Sequence, residues 1–175
     1  MGQSQSQENV LCKSCGLCCN GHLFAWAKLR ASEVQAAREL GLHVLGSNPK
    51  DRGFNQPCPL WMGECTIYSS PQYPHFCRVY KCQLLKKLVD ETIPLPEALS
   101  VVQQAKELIH ELSLLLPDSP NPNFRERLVA HIEQIEGLTE RGIKDLNFLS
   151  KAKQLLVFYK NQFGVKDLVD NIDEM

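Results

Sequence analysis

The sequence predicts a mainly α fold in which a small, irregular, cysteine-rich module with a few short strands packs on a C-terminal helical bundle. Three observations carry that expectation. All eight cysteines of the 175-residue chain fall between Cys12 and Cys82. Residues 46–64, which lie among them, are rich in Gly, Pro and Asn, the composition of a loop. From Pro94 onward the apolar residues recur at steps of three and four, the period of an amphipathic helix. The expected division is 10–85 for the cysteine-rich region and 93–175 for the helical one, which either stand apart or form one compact unit.

The first residues are polar, with one charge at Glu8, and read as a tail disordered to about Val10. His22 to Leu29 reads as a short strand. Ser32 to Gln35 fits a capping box starting a helix that reaches Leu40 and stops at Gly41, with Val34, Ala37 and Leu40 on one face. The stretch 46–64 is expected to be loop, with Gly53-Phe-Asn-Gln as a turn. Cys65 to Tyr68 reads as a second short strand, with 22–29 as its candidate partner.

Pro96 suits a helix start, and Ala98, Val102, Ala105, Ile109, Leu112 and Leu116 predict one helix of about twenty residues ended by Pro117. Asp118 to Pro122 is a turn. Phe124, Leu128, Ile132 and Ile135 mark a second helix closed near Gly137, while Leu146, Leu149, Ala152, Leu156 and Tyr159 mark a third. Asp167 to Ile172 reads as a short fourth helix. Helices of this length can bury a shared core, hence a small bundle.

Net charge is -1, divided as ten Lys/Arg against seven Asp/Glu in residues 1–91 and nine against thirteen in 92–175. So mild an asymmetry argues against nucleic acid as a partner, because a concentrated basic face is missing. No apolar run approaches the roughly 20 residues that cross a bilayer, and no basic and apolar leader opens the chain. A soluble, cytoplasmic protein is expected. Met1-Gly2-x-x-x-Ser6 fits the N-myristoylation consensus, but a soluble tail that happens to begin Met-Gly is the preferred reading, and lipidation of Gly2 stays open.

Cys12-x2-Cys15-x2-Cys18-Cys19 and then Cys58, Cys65, Cys77 and Cys82 supply two sets of four thiols. In a chain without an export signal, thiolates at short fixed spacings point to zinc or iron-sulfur centres before a disulfide scaffold or inert buried thiols. Adjacent residues cannot easily place both side chains on one tetrahedral metal, so Cys18 and Cys19 are expected to serve different sites or different irons. Each two-residue gap lets the chain curl and aim both sulfurs inward, with backbone N–H groups turned toward them. Gly16 can take the positive φ such a turn demands. The run fits both a ferredoxin arm and a zinc knuckle; Cys58-Pro59 tilts slightly toward iron-sulfur. His22 and His75 are alternative ligands, with a supporting or surface role preferred; His43, His110 and His131 read as surface residues.

These residues resemble a family. Cys12-x2-Cys15-Gly-Leu-Cys18-Cys19, then Cys58-Pro-Leu, Cys65-Thr-Ile-Tyr68 and Pro74-x2-Cys77-Arg78-x3-Cys82 look like the CxxCxxCC, or YkgJ-type, cysteine cluster family of zinc- or iron-chelating domains. The resemblance covers about residues 10–85 and implies that Cys12, Cys15, Cys18, Cys19, Cys58, Cys65, Cys77 and Cys82 chelate metal. Tyr73-Pro74 stands where the family often has Arg-Pro, so any charge role of that Arg is lost or passes to Arg78.

Some flagellin lysine methylases are similar in this motif, but no G-x-G turn and no C-x3-C-x2-C spacing occurs, so that likeness stops at the cysteines. No Walker A, H-E-x-x-H or G-x-S-x-G motif is present, no catalytic residue stands out, and whether the protein is an enzyme is left open. Phe24, Trp26, Leu60, Trp61, Phe76 and Tyr80 are expected to shield the centre, with a ligand groove as the alternative. Glu133, Glu136 and Glu140 read as a solvated helix face rather than a second metal site.

Three functions are compatible with this reading. The lead is a chelating module, iron-sulfur slightly favoured over zinc, that organises the fold and offers a surface to a protein partner. The others are a redox or group-transfer enzyme subunit and a metal handling protein.

Overall fold

The computed structural model describes residues 6–46 and 48–166. Among them are seven α-helices and one small three-stranded sheet, a mainly α architecture. The Gly2 myristoylation site and the expected helix at 167–172 lie outside the described residues.

The chain is already helical before Val10. Helix α1 spans Gln7–Cys15, and Ser6 caps it by accepting the Asn9 N–H at 3.4 Å. A segment this polar looks like a tail in the sequence. What holds it is tertiary: Leu11 is buried in the main core, Glu8 pairs with Lys81 at 2.9 Å, and Asn9 accepts the Tyr68 hydroxyl at 2.9 Å.

The expected strand at 22–29 shrinks to β1, Trp26–Lys28. Its partner is not Cys65 to Tyr68. It is β3, Gly53–Asn55, which also pairs antiparallel with β2, Val44–Leu45, giving the order β1-β3-β2. Residues 46–64 are therefore not all loop, and Gly53 begins a strand rather than a turn. A β-carbon on Gly53 would stand 2.4 Å from the Trp26 ring and 2.5 Å from the Ala27 carbonyl oxygen, so glycine is what lets β1 approach. Phe54 is buried under the sheet with Ala27, Leu29, Ala37 and Leu42 in a small core of its own. Cys65 to Tyr68 is a tight turn, joined to Trp61 by a single antiparallel bridge at Cys65.

The helix expected from Ser32 appears as a 3-10 turn, Ala31–Glu33, running into α2, Val34–Glu39. Its cap differs from the expected box. The Glu33 carboxylate accepts the Arg30 N–H at 2.7 Å and the His75 N–H at 2.6 Å, tying α2 to the start of α3, His75–Val79. Gln35 instead donates along the helix to Glu39.

Helix α4, Gln83–Val89, follows Cys82, and α5, Leu95–Ser113, begins at Pro94 with Pro96 inside its first turn, where the missing N–H costs nothing. Helices α6, Phe124–Glu136, and α7, Ile143–Phe158, match the periodicity of the sequence. A π-helical turn, Tyr159–Phe163, extends α7 and closes at Gly164, where φ is +75°. The buried faces of α5, α6 and α7 join Leu11, Leu17, Leu23, Leu84, Leu85 and Leu88 in one continuous core. The helical region thus packs directly beneath the cysteines.

Candidate metal centre

All eight cysteines are free thiols and partly buried. Cys12 and Cys15 stand on the last turn of α1, which Gly16 ends in the left-handed conformation at φ +70°, as its spacing predicts. The chain then doubles back through Cys18 and Cys19. Cys58 is held beside that turn by its own N–H, which donates to the Cys19 carbonyl at 2.7 Å. Cys65 follows the Trp61 bridge, Cys77 sits in α3, and Cys82 caps α4, its sulfur accepting the Leu85 N–H at 3.4 Å.

The sulfurs sort into two neighbouring groups. Cys12, Cys15 and Cys18 lie within electrostatic reach of Cys82. Cys19 lies within electrostatic reach of Cys58, Cys77 and Cys65, which also act on one another. The adjacent pair Cys18 and Cys19 is thereby divided between the two groups, while each remains close enough to the other group to feel it.

Burial pushes every thiol upward, to about 12 for Cys12, about 11 for Cys15 and about 12 for Cys77, with neighbouring sulfurs adding to the effect. Cys18 and Cys19 are raised further by the same causes. Opposing this, backbone N–H groups point at the sulfurs: Leu17 to Cys15, Leu60 to Cys58, Ile67 to Cys65, and Leu84 and Leu85 to Cys82. Four of these come from two residues further along the chain. Such donors serve a thiolate, and a bound cation is what makes a buried thiol one. The donor set therefore fits a thiophilic metal.

Seven of the eight cysteines, all but Cys58, line a single cavity of about 90 Å³. Among the described residues no three His, Cys, Asp or Glu side chains stand in the geometry of a single-ion site. The sulfurs are instead spread around the cavity wall.

Of the expected shielding residues, Phe24, Phe76 and Tyr80 line the cavity and pack on one another, Phe24 edge-on to Tyr80 at 5.1 Å and Phe76 stacked on Tyr80 at 5.5 Å. Trp61 covers Gly16, Leu60 packs against the small sheet core, and Trp26 is largely exposed over Gly53. Sequence reasoning passed over Tyr68, Tyr73, Leu84, Leu85 and Phe163, which also line the cavity. Tyr68 and Tyr73 were named within the cysteine pattern without a site role; their rings stand 5.3 Å apart, and their position beside Cys65 and Cys77 was a usable signal. Phe163, about eighty residues from the last cysteine, carried none.

The alternative ligands do not line the cavity. His22 packs edge-on against Phe124 at 5.1 Å, and burial, helped by Lys106, lowers its pKa to about 4. His75 is engaged by the Arg30 guanidinium. Of the acidic trio, Glu133 and Glu136 lie on α6 and Glu140 in the turn that follows.

The model of the CxxCxxCC family, described as a "putative zinc- or iron-chelating domain", matches residues 11–104, running past Cys82 through α4 and into α5. No curated protein and no solved structure matches the chain. With more than half of its length matched, the chain belongs to the CxxCxxCC family.

Proposed function

We propose that this member of the CxxCxxCC family holds two adjacent iron-sulfur centres, one on Cys12, Cys15, Cys18 and Cys82 and the other on Cys19, Cys58, Cys65 and Cys77, which organise the fold and present a protein-binding surface. The cavity carries the reading. A tetrathiolate zinc site draws four sulfurs to about 2.3 Å from one ion and leaves no room between them. A void of about 90 Å³ with seven of the eight cysteines in its wall, among leucines and aromatic rings, is several times what one water molecule requires, and suits metal and sulfide. Bound there, iron-sulfur clusters would supply cross-links and a route for single electrons, while the chain's N–H groups steady the thiolates.

The regions 10–85 and 93–175 act as one compact unit in this reading. Support comes from the main core, in which leucines flanking the cysteines pack with α5, α6 and α7. A redox role is the second reading, supported by the peptide bond that joins Cys18 of one group to Cys19 of the other, since two centres so ligated would lie side by side.

Anaerobic purification followed by iron, acid-labile sulfide and zinc analysis, with the visible absorption spectrum, tests the proposal. Iron and sulfide in equal amounts with broad visible absorption is the expected result. About two colourless zinc ions per chain would overturn the cluster assignment in favour of two tetrathiolate sites.

A further inference from the structure

Lys106 lies on the exposed side of α5, yet its ammonium donates a hydrogen bond to the Ser14 carbonyl at 2.9 Å, 92 positions away in the chain. Ser14 belongs to the last turn of α1, whose carbonyls have no partner within the helix. A chain that leaves a helix through a left-handed glycine ordinarily turns its next N–H groups back onto those carbonyls. After Gly16, however, the Leu17 N–H points at the Cys15 sulfur. The turn serves the thiol, and a cation from another helix holds the end of α1, where the helix dipole favours positive charge.

That cation stands one peptide unit from a cavity-lining cysteine, because the carbonyl it holds is bonded to the Cys15 nitrogen. Among the described residues no carboxylate is paired with Lys106. Lys81, near Cys12, is by contrast already paired with Glu8 at 2.9 Å.

Resting on the iron-sulfur reading above, we infer that Lys106 is a positioning residue for the centre on Cys12, Cys15, Cys18 and Cys82: its ammonium anchors the end of α1 that carries Cys12 and Cys15, and its charge raises the reduction potential of that centre. A cluster that takes up one electron gains one negative charge, and a nearby cation favours that state. Lys106 is exposed, so salt screens the effect. The helical region then tunes the centre as well as packing beneath it.

Three variants of the full chain, loaded anaerobically and titrated potentiometrically with dithionite as electron donor, separate charge from anchoring. Lys106→Gln keeps an N–H donor and loses the charge, Lys106→Met loses both, and Lys106→Arg keeps both. The expected result for the first two is a more negative potential for one centre, by about threefold in the reduction equilibrium, or about 30 mV for one electron, with Lys106→Arg matching wild type. The shift should shrink as ionic strength rises, which a merely structural change would not do. If Lys106→Met fails to load, the comparison of Lys106→Gln with Lys106→Arg decides. Unchanged potentials with the cluster spectrum intact would overturn the inference and leave the iron-sulfur reading standing. A shift shared by Lys106→Arg, or one indifferent to salt, would overturn it too. If metal analysis finds zinc, the cluster reading fails separately. Faster zinc transfer to a chromogenic chelator from Lys106→Met than from Lys106→Arg would then uphold the anchoring role, and equal rates would overturn it.

Discussion

Gly16 lies directly against the Trp61 indole, so closely that a β-carbon at residue 16 would stand 2.2 Å from Cζ2 of the ring. The contact covers the turn between Cys15 and Cys18, just before the chain passes at Cys19 to the other group of thiols. Two independent constraints meet at this residue, a left-handed backbone at φ +70° and a missing side chain.

Gly16→Ala should accordingly cost about 2 to 4 kcal/mol, the sum of left-handed strain and overpacking. Trp61→Ala in the same chain should recover part of that cost, because it removes the overlap and leaves the strain. Denaturant unfolding of the single and double variants, loaded identically, measures the coupling; strict additivity would show that the ring is not what excludes the β-carbon.

The proposed assignment of Cys18 and Cys19 to separate centres makes metal content a direct readout. Cys18→Ser and Cys19→Ser should each lower bound metal by about half, given four thiolates per centre. Cys12→Ser added to Cys18→Ser should remove little more, whereas Cys18→Ser with Cys19→Ser should empty both centres. Equal loss from the two double variants would mean a single shared centre.

Asn123 joins the two regions of the chain. It is 2% exposed, its side-chain oxygen accepts the Glu126 N–H at 3.0 Å as the cap of α6, and its amide donates to the Gln56 carbonyl at 2.9 Å. Asn123→Ala removes a cap worth about 1 kcal/mol and strands a buried carbonyl at a cost of about 1 to 3 kcal/mol. The expected loss is about 2 to 4 kcal/mol, and faster hydrogen exchange should appear in both α6 and the segment around Gln56. A change confined to α6 would show that the amide contributes nothing.

His22 titrates in the direction that makes acid destabilising. Burial lowers its folded pKa from 6.5 to about 4, so between those values the unfolded chain binds the proton that the folded chain refuses. Its contribution is complete above pH 6.5 and is lost as pH falls toward about 4, amounting to at most about 3 kcal/mol. Acid release of metal would affect wild type and His22→Gln alike. The difference between their unfolding free energies should change across this window, and parallel pH profiles would refute the assignment.

The helical half of the fold was legible in the sequence because its signals are local. Apolar steps along α5, α6 and α7 and the proline at the start of α5 all act within a turn or two. Helix α1 was not legible: Gln7 to Val10 carry no apolar face, and Leu11 finds its partners in distant helices. The sheet was misplaced for a similar reason. Gly53 weakens a strand by propensity, and only the approach of Trp26 and Ala27 turns the missing side chain into an advantage.

Among the site residues, thiol chemistry and spacing singled out the eight cysteines and the turn at Gly16, because a run of closely spaced sulfurs serves few other purposes. Which sulfurs neighbour one another was a different matter. Cys82 joins Cys12, Cys15 and Cys18 only because α4 packs on α1, and Cys58 reaches Cys19 only through the backbone bond between them. Phe163 reaches the cavity wall through the π-turn after α7, far along the chain from any cysteine. Local chemistry is written in neighbouring residues and can be read from them; the assembly of distant groups around one cavity depends on how the helices pack, which no short stretch of chain records.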